Sequence, residues 1–132
     1  EQAMVLDLIG KGIEPIIGMG AKLGGGLLLV SSAVASSVTD NIPLAAVLSN
    51  ILKSMDPAVD PGMWWSVIFG ANLGGNLTPI GSASTLVAVT IMHKHDLKIS
   101  FMGFVKKALP FAILHIILAT AYVLLVLKHL PG

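Results

Sequence analysis

The chain has 132 residues, 55% of them hydrophobic and 11% charged, with a net charge of +1 and a mean hydropathy of +0.87. Soluble domains carry roughly a quarter charged residues, so this balance excludes an ordinary water-soluble domain, and with no dense Lys/Arg patch it argues against nucleic acid as a partner. Cysteine is absent, which excludes disulfides, thiolate metal sites and a cysteine nucleophile. The chain opens Glu1-Gln2-Ala3 with no initiator Met and no signal-peptide pattern, so upstream sequence is expected.

Residues 1–22 predict an amphipathic interfacial helix and Gly-rich link; the glycine-rich stretch Gly18 to Gly26 breaks the helical pattern, with Gly20 and Gly24 permitting close backbone approach or a bend. Met4, Val5, Leu8, Ile9, Ile13 and Ile16 recur at helical spacing, and Glu1, Asp7, Lys11 and Glu14 take the other face. Residues 23–55 predict a re-entrant helical hairpin with its tip at 37–43. No formal charge falls between Leu23 and Thr39, yet the second apolar arm, Leu44 to Leu52, is roughly half the ~20 residues a crossing needs. The chain must therefore turn back, and Pro43 suits the first turn of the returning helix, where its missing N–H costs nothing. Asp56-Pro57 and Asp60-Pro61-Gly62 read as a solvent loop, with Trp64 and Trp65 behind it as interfacial anchors.

Residues 61–95 predict a discontinuous transmembrane helix broken at 73–81. Two adjacent glycines disfavour helix, Pro79 removes a donor, and Thr78, preceding proline, is pushed from helical dihedrals. Residues 96–107 predict an interfacial segment made cytoplasmic by Lys98, Lys106 and Lys107, and residues 108–129 a terminal transmembrane helix. The hairpin then enters from the outside face. The expected class is an all-α, multi-pass membrane protein in which no internal repeat is visible, so any inverted partner repeat would lie in other sequence.

The chemistry lies in the two interruptions. A half-helix ending at membrane depth presents N–H groups to an anion or carbonyls to a cation. The hairpin tip offers Ser36, Ser37, Thr39, Asp40 and Asn41, and the second break Asn72, Asn76, Thr78, Ser82, Ser84 and Thr85. These hard oxygen ligands suit sodium or proton coupling and small oxyanions rather than a soft metal, and no cofactor is called for. Asp40 is the sharpest candidate, because a carboxylate at bilayer depth is costly unless paired, hydrated or protonated. The competing reading places the turn at the surface, with Asp40 and Asn41 capping the next helix. For Asn76, Thr78 and Pro79 the competing reading is a kink whose polar groups satisfy freed backbone. His93, His95 and Asp96 read as a solvated loop, and His115 as a packed or pore-edge residue. No nucleophile triad, phosphate loop or dinucleotide fingerprint supports an enzyme.

The segments Ser37-Val-Thr-Asp-Asn-Ile-Pro43, Phe69-Gly-Ala-Asn-Leu-Gly-Gly-Asn-Leu-Thr-Pro-Ile-Gly-Ser82 and Lys98-Ile-Ser-Phe-Met-Gly-Phe104 together resemble the ion transporter superfamily. That superfamily includes arsenite permeases, NhaD-type sodium/proton antiporters, the P protein and citrate-transporter-like permeases. The resemblance implies one inverted-repeat half of an elevator-type secondary transporter, set in a cell membrane and often a homodimer, with the missing N-terminal repeat supplying the rest of the site. It maps the hairpin-tip motif onto Asp40, Asn41 and Pro43, and the broken-helix motif onto Gly74, Gly75, Asn76, Thr78, Pro79, Gly81 and Ser82. On that reading Asp40, Asn41, Asn76 and Thr78 are the expected sodium site, with the proton as the other candidate coupling ion. The dicarboxylate branch carries Ser-Asn-Thr at the hairpin tip; Asp40-Asn41-Ile42 here departs from it and speaks against a dicarboxylate substrate. A stand-alone scaffold or regulatory subunit without transport is the alternative from a different class.

Overall fold

Residues 2–18, 21–55 and 59–126 are described by the computed structural model, and among them the chain is wholly helical, with no strand. Asp56-Pro57, Gly20 and Lys128-His129, which the sequence assigns to a loop, a link and a helix end, lie outside the described residues. The helices are α1 (Gln2–Gly18), α2 (Ala21–Ser36), α3 (Asn41–Met55), α4 (Pro61–Gly74), α5 (Ala83–Lys94) and α6 (Phe101–Ala121), the last continued by a π-turn over Tyr122–Val126.

α2, α3, α4 and α5 have 16, 15, 14 and 12 residues. At ~1.5 Å per residue none reaches the ~30 Å of a bilayer's hydrocarbon core. Phe101–Val126, by contrast, is a 26-residue apolar run long enough to cross. Its Phe111, Ile113, Leu114, Ile117 and Leu118 face outward, as suits a helix solvated by lipid tails.

Two differences from the sequence expectation have local causes. Gly24, Gly25 and Gly26 lie inside α2 rather than in a link. A Cβ on Gly24 would stand 2.5 Å from the Ile16 carbonyl oxygen and 3.0 Å from Met63 Cε, so the glycine is set by close helix packing and not by a bend. α6 begins at Phe101, before the expected start at 108, because the Ser100 hydroxyl accepts from the Gly103 amide at 3.0 Å and caps it. Lys106, Lys107 and Pro110 therefore lie within the helix.

One apolar cluster joins Ile13 of α1, Leu28 of α2, Leu48, Ile51 and Leu52 of α3, and Met63 and Val67 of α4. A second joins Leu29 of α2 to Ala119 and Val123, with Phe69, Leu73 and Ile116 against it. α2 and α4 form the central pair, α3 leans on α4 beside one flank, and α6 covers another.

Candidate ion-binding site

The site is built on the α2–α4 contact. Lipid tails are as apolar as leucine, so membrane helices associate through close backbone approach, and small residues permit it. Gly70 packs on the Leu29 carbonyl and Gly74, one turn on, on the Ala33 backbone, leaving no room for a side chain at either. Both pairs advance in the same chain direction, so α2 and α4 run parallel. Their C-terminal ends consequently meet at one level, and the chain reverses into α3 and α5 from that level.

Hydrogen bonds fasten the two ends. The buried Ser36 hydroxyl donates to the Ala71 carbonyl at 2.5 Å, and the buried Thr78 hydroxyl donates to the Ser37 carbonyl. The loop 75–82 is cinched at its neck: a Cβ on Gly81 would lie 2.8 Å from the Gly75 carbonyl oxygen and 3.0 Å from that of Ser36. Every buried side-chain nitrogen or oxygen among the described residues has a hydrogen-bond partner. Besides these, further polar side chains line the junction.

Those groups sit at the starts of the two departing helices. Asp40 is exposed, its Oδ1 accepting from the Ile42 amide at 3.3 Å while its carbonyl accepts from Leu44 at 3.4 Å. It thus begins α3 as an N-cap and still presents a carboxylate. Thr39 is spent locally on the Ala35 carbonyl, and Ser37 Oγ on that of Val34. Ser82 caps α5 by accepting from the Thr85 amide, and its Oγ lies 3.1 Å from Ser84 Oγ and 3.0 Å from Thr85 Oγ1. Two helix carbonyl ends and two helix amide ends, flanked by hydroxyls and one carboxylate, are a surface suited to a small ion.

α6 measures the depth of this junction. Asn76, in the break, lines a cavity of about 320 Å³ with Leu73, Ala108, Phe111, Ala112 and His115. These α6 residues lie in the middle part of Phe101–Val126, so the break adjoins the centre of the one helix long enough to cross among the described residues. On another face of α4, Asn41 and Asn72 line a cavity of about 250 Å³ with Ile42, Ala45, Ile68 and Ala71.

Of the four residues expected to share a sodium ion, Thr78 is committed to Ser37, and Asn41 and Asn76 open into different cavities, one beside α3 and the other beside α6. Pro43 is exposed in the first turn of α3, while Gly74, Gly75, Pro79 and Gly81 are buried and shape the junction. Sequence reasoning passed over Ser32 and Ser66, which are buried between the packed helices and donate to carbonyls one turn back. Their only signal was a small polar residue in an apolar helix.

Comparison with known proteins sets this geometry in context. The chain is 35% identical over 101 residues to a 46 kDa membrane protein of Mycobacterium leprae, an overlap of 73% of this chain and 24% of that protein. It is 35% identical over 103 residues to the P protein of Homo sapiens, covering 74% of this chain and 12% of that one. With an uncharacterized transporter of Synechocystis it shares 29% identity over 142 aligned positions, 93% of this chain and 32% of the relative. It thus spans a third or less of the length of each of these relatives. No family model matches the chain, and no solved structure matches it. Relatives named as a membrane protein and as transporters, together with the apolar, all-helical chain and a helix long enough to cross, mark it as part of a membrane protein. It belongs to the ion transporter superfamily.

Proposed function

We propose that this chain is the C-terminal, second-repeat part of a secondary active ion transporter. Its hairpin tip and helix break hold a small ion at the bilayer midplane. The observation that carries the reading is the meeting of the α2 and α4 ends, tied by Thr78 to Ser37, beside the middle of the spanning helix α6. Unwound backbone is tolerated at that depth only where protein or a watery cavity satisfies it, and transporters place coupling-ion sites there.

In this reading Asp40 carries the charge that couples transport, as cation or proton site. Asn41, Asn76 and the helix ends shape the pocket. The inverted N-terminal repeat of the same protein completes it, and the α2–α3 hairpin is re-entrant. Elevator-like movement within a homodimer in the cell membrane, and exchange of sodium for protons rather than permeation of an anion, belong to the same proposal.

The test reconstitutes the whole protein in sealed vesicles and follows proton movement driven by a sodium gradient, wild type against Asp40→Asn. Sodium-driven flux that disappears in the variant is the expected result. Unchanged flux in Asp40→Asn would remove Asp40 from the site. No sodium-driven flux in the wild type would overturn the exchange reading and direct the same vesicles to arsenite and carboxylate uptake.

A further inference from the structure

A second titratable group lies at the same depth as the junction, and it is not Asp40. His115 is on α6 near the midpoint of Phe101–Val126 and lines two neighbouring cavities. One, of about 320 Å³, contains Asn76 of the helix break; the other, of about 380 Å³, is lined by Phe69, Leu73, Leu118, Ala119 and Tyr122. Ionisable side chains within spanning segments are rare, and they face a bundle interior or a watery cavity because hydrocarbon leaves them unsatisfied.

The ring's hydrogen bond fixes its chemistry. His115 Nδ1 lies 2.6 Å from the Phe111 carbonyl oxygen. A carbonyl only accepts, so Nδ1 carries the hydrogen, and in the neutral ring Nε2 is the unprotonated nitrogen. That lone pair is a basic atom near mid-span, on the wall of the cavity that contains Asn76, which has room for several waters at ~30 Å³ each. No Asp, Glu, Lys or Arg lines either cavity, and Tyr122 is the only other titratable group on their walls.

We infer that His115 is a proton-carrying site of the transport domain. Nε2 takes a proton from cavity water, giving an imidazolium whose Nδ1–H stays on the Phe111 carbonyl. Asn76, on the same cavity wall, supplies a neutral oxygen acceptor and so links the charge on α6 to the state of the broken helix. The inference rests on the proposed transport reading and deepens it by naming the proton as a coupling ion and a second residue that bears it.

Two measurements on the whole protein in lipid vesicles test it. In protein labelled with ¹⁵N-histidine, the signals lost in His115→Gln identify this ring. The expected result is an Nδ1–H tautomer in the neutral ring and a second N–H, at Nε2, once the ring has taken up its proton. An Nε2–H tautomer of the neutral ring, or a ring that never gains a second N–H as the vesicles are acidified, overturns the proposal whether or not transport is seen. Proton flux driven by a sodium gradient should be lost in His115→Gln, which keeps a polar side chain but cannot hold a proton. His115→Gln flux matching the wild type in size and pH profile also overturns the proposal. If the wild type itself moves no protons, the exchange reading fails on its own account, and the nitrogen titration alone decides whether His115 is a proton site.

Discussion

The Thr78 hydroxyl donates to the Ser37 carbonyl across 41 residues of chain, tying the break after α4 to the end of α2. Both groups are buried, so removing the donor strands a carbonyl without water. Thr78→Val keeps the shape and deletes only the hydroxyl. It is expected to lower stability by about 1–3 kcal/mol, the usual cost of an unsatisfied buried polar group. Thr78→Ser should stay near wild type. Thermal unfolding of the whole protein in detergent separates the two, and a Val variant as stable as the Ser variant would show that the bond contributes nothing.

Gly74 and Gly12 make opposite predictions from the same chemical change. A methyl at Gly74 would land on the Ala33 backbone, which cannot move aside without separating α2 from α4. Gly74→Ala should therefore cost more than the hydroxyl deletion at Thr78 and reduce the yield of folded protein. At Gly12, inside α1, nothing lies within 4 Å of a built Cβ. Gly12→Ala should raise stability by about 0.5–1 kcal/mol, the helix penalty of glycine. Parallel melting curves check both signs.

Much of the helix pattern was legible in the sequence, because backbone constraints speak locally. Gly74-Gly75 and Thr78-Pro79 forbid a continuous helix, and the structure ends α4 at Gly74 and resumes at Ala83. Ser-Ser-Val-Thr-Asp likewise ends α2 at Ser36. What could not be read was register. The glycines at 24–26 look like a link until Ile16 and Met63 are seen against Gly24. Similarly, Lys106 and Lys107 look like loop until Ser100 caps the helix beneath them. The polar residues of the two breaks were legible as a set, but their division was not. That Asn41 faces α4 while Asn76 shares a cavity with His115 depends on the angle at which α4 crosses its neighbours.

Asp96 offers a test of the connection between α5 and α6. It has φ 60, and around it the Leu97 amide donates to the Met92 carbonyl at 2.9 Å and the Asp96 amide to that of His93 at 3.2 Å. This is the left-handed helix ending that glycine prefers. Asp96→Gly should stabilise by about 0.5–1 kcal/mol and Asp96→Val, β-branched at positive φ, should destabilise. If both variants melt with the wild type, the ending adopts another conformation in the membrane.

Asp40 is both a helix cap and the charge assigned to coupling, and the two roles respond differently to substitution. Asparagine caps as well as aspartate, since its side-chain oxygen can accept from the Ile42 amide as Asp40 Oδ1 does. Asp40→Asn should therefore keep the wild-type melting temperature while losing sodium-driven proton flux. Alanine loses the cap as well, so Asp40→Ala should be destabilised by about 0.5–2 kcal/mol and be equally inactive. The informative comparison is activity against stability across the three proteins. If flux falls only in the alanine variant, in step with its melting temperature, Asp40 is a cap alone and the charge that couples transport lies elsewhere, with His115 the next residue to test.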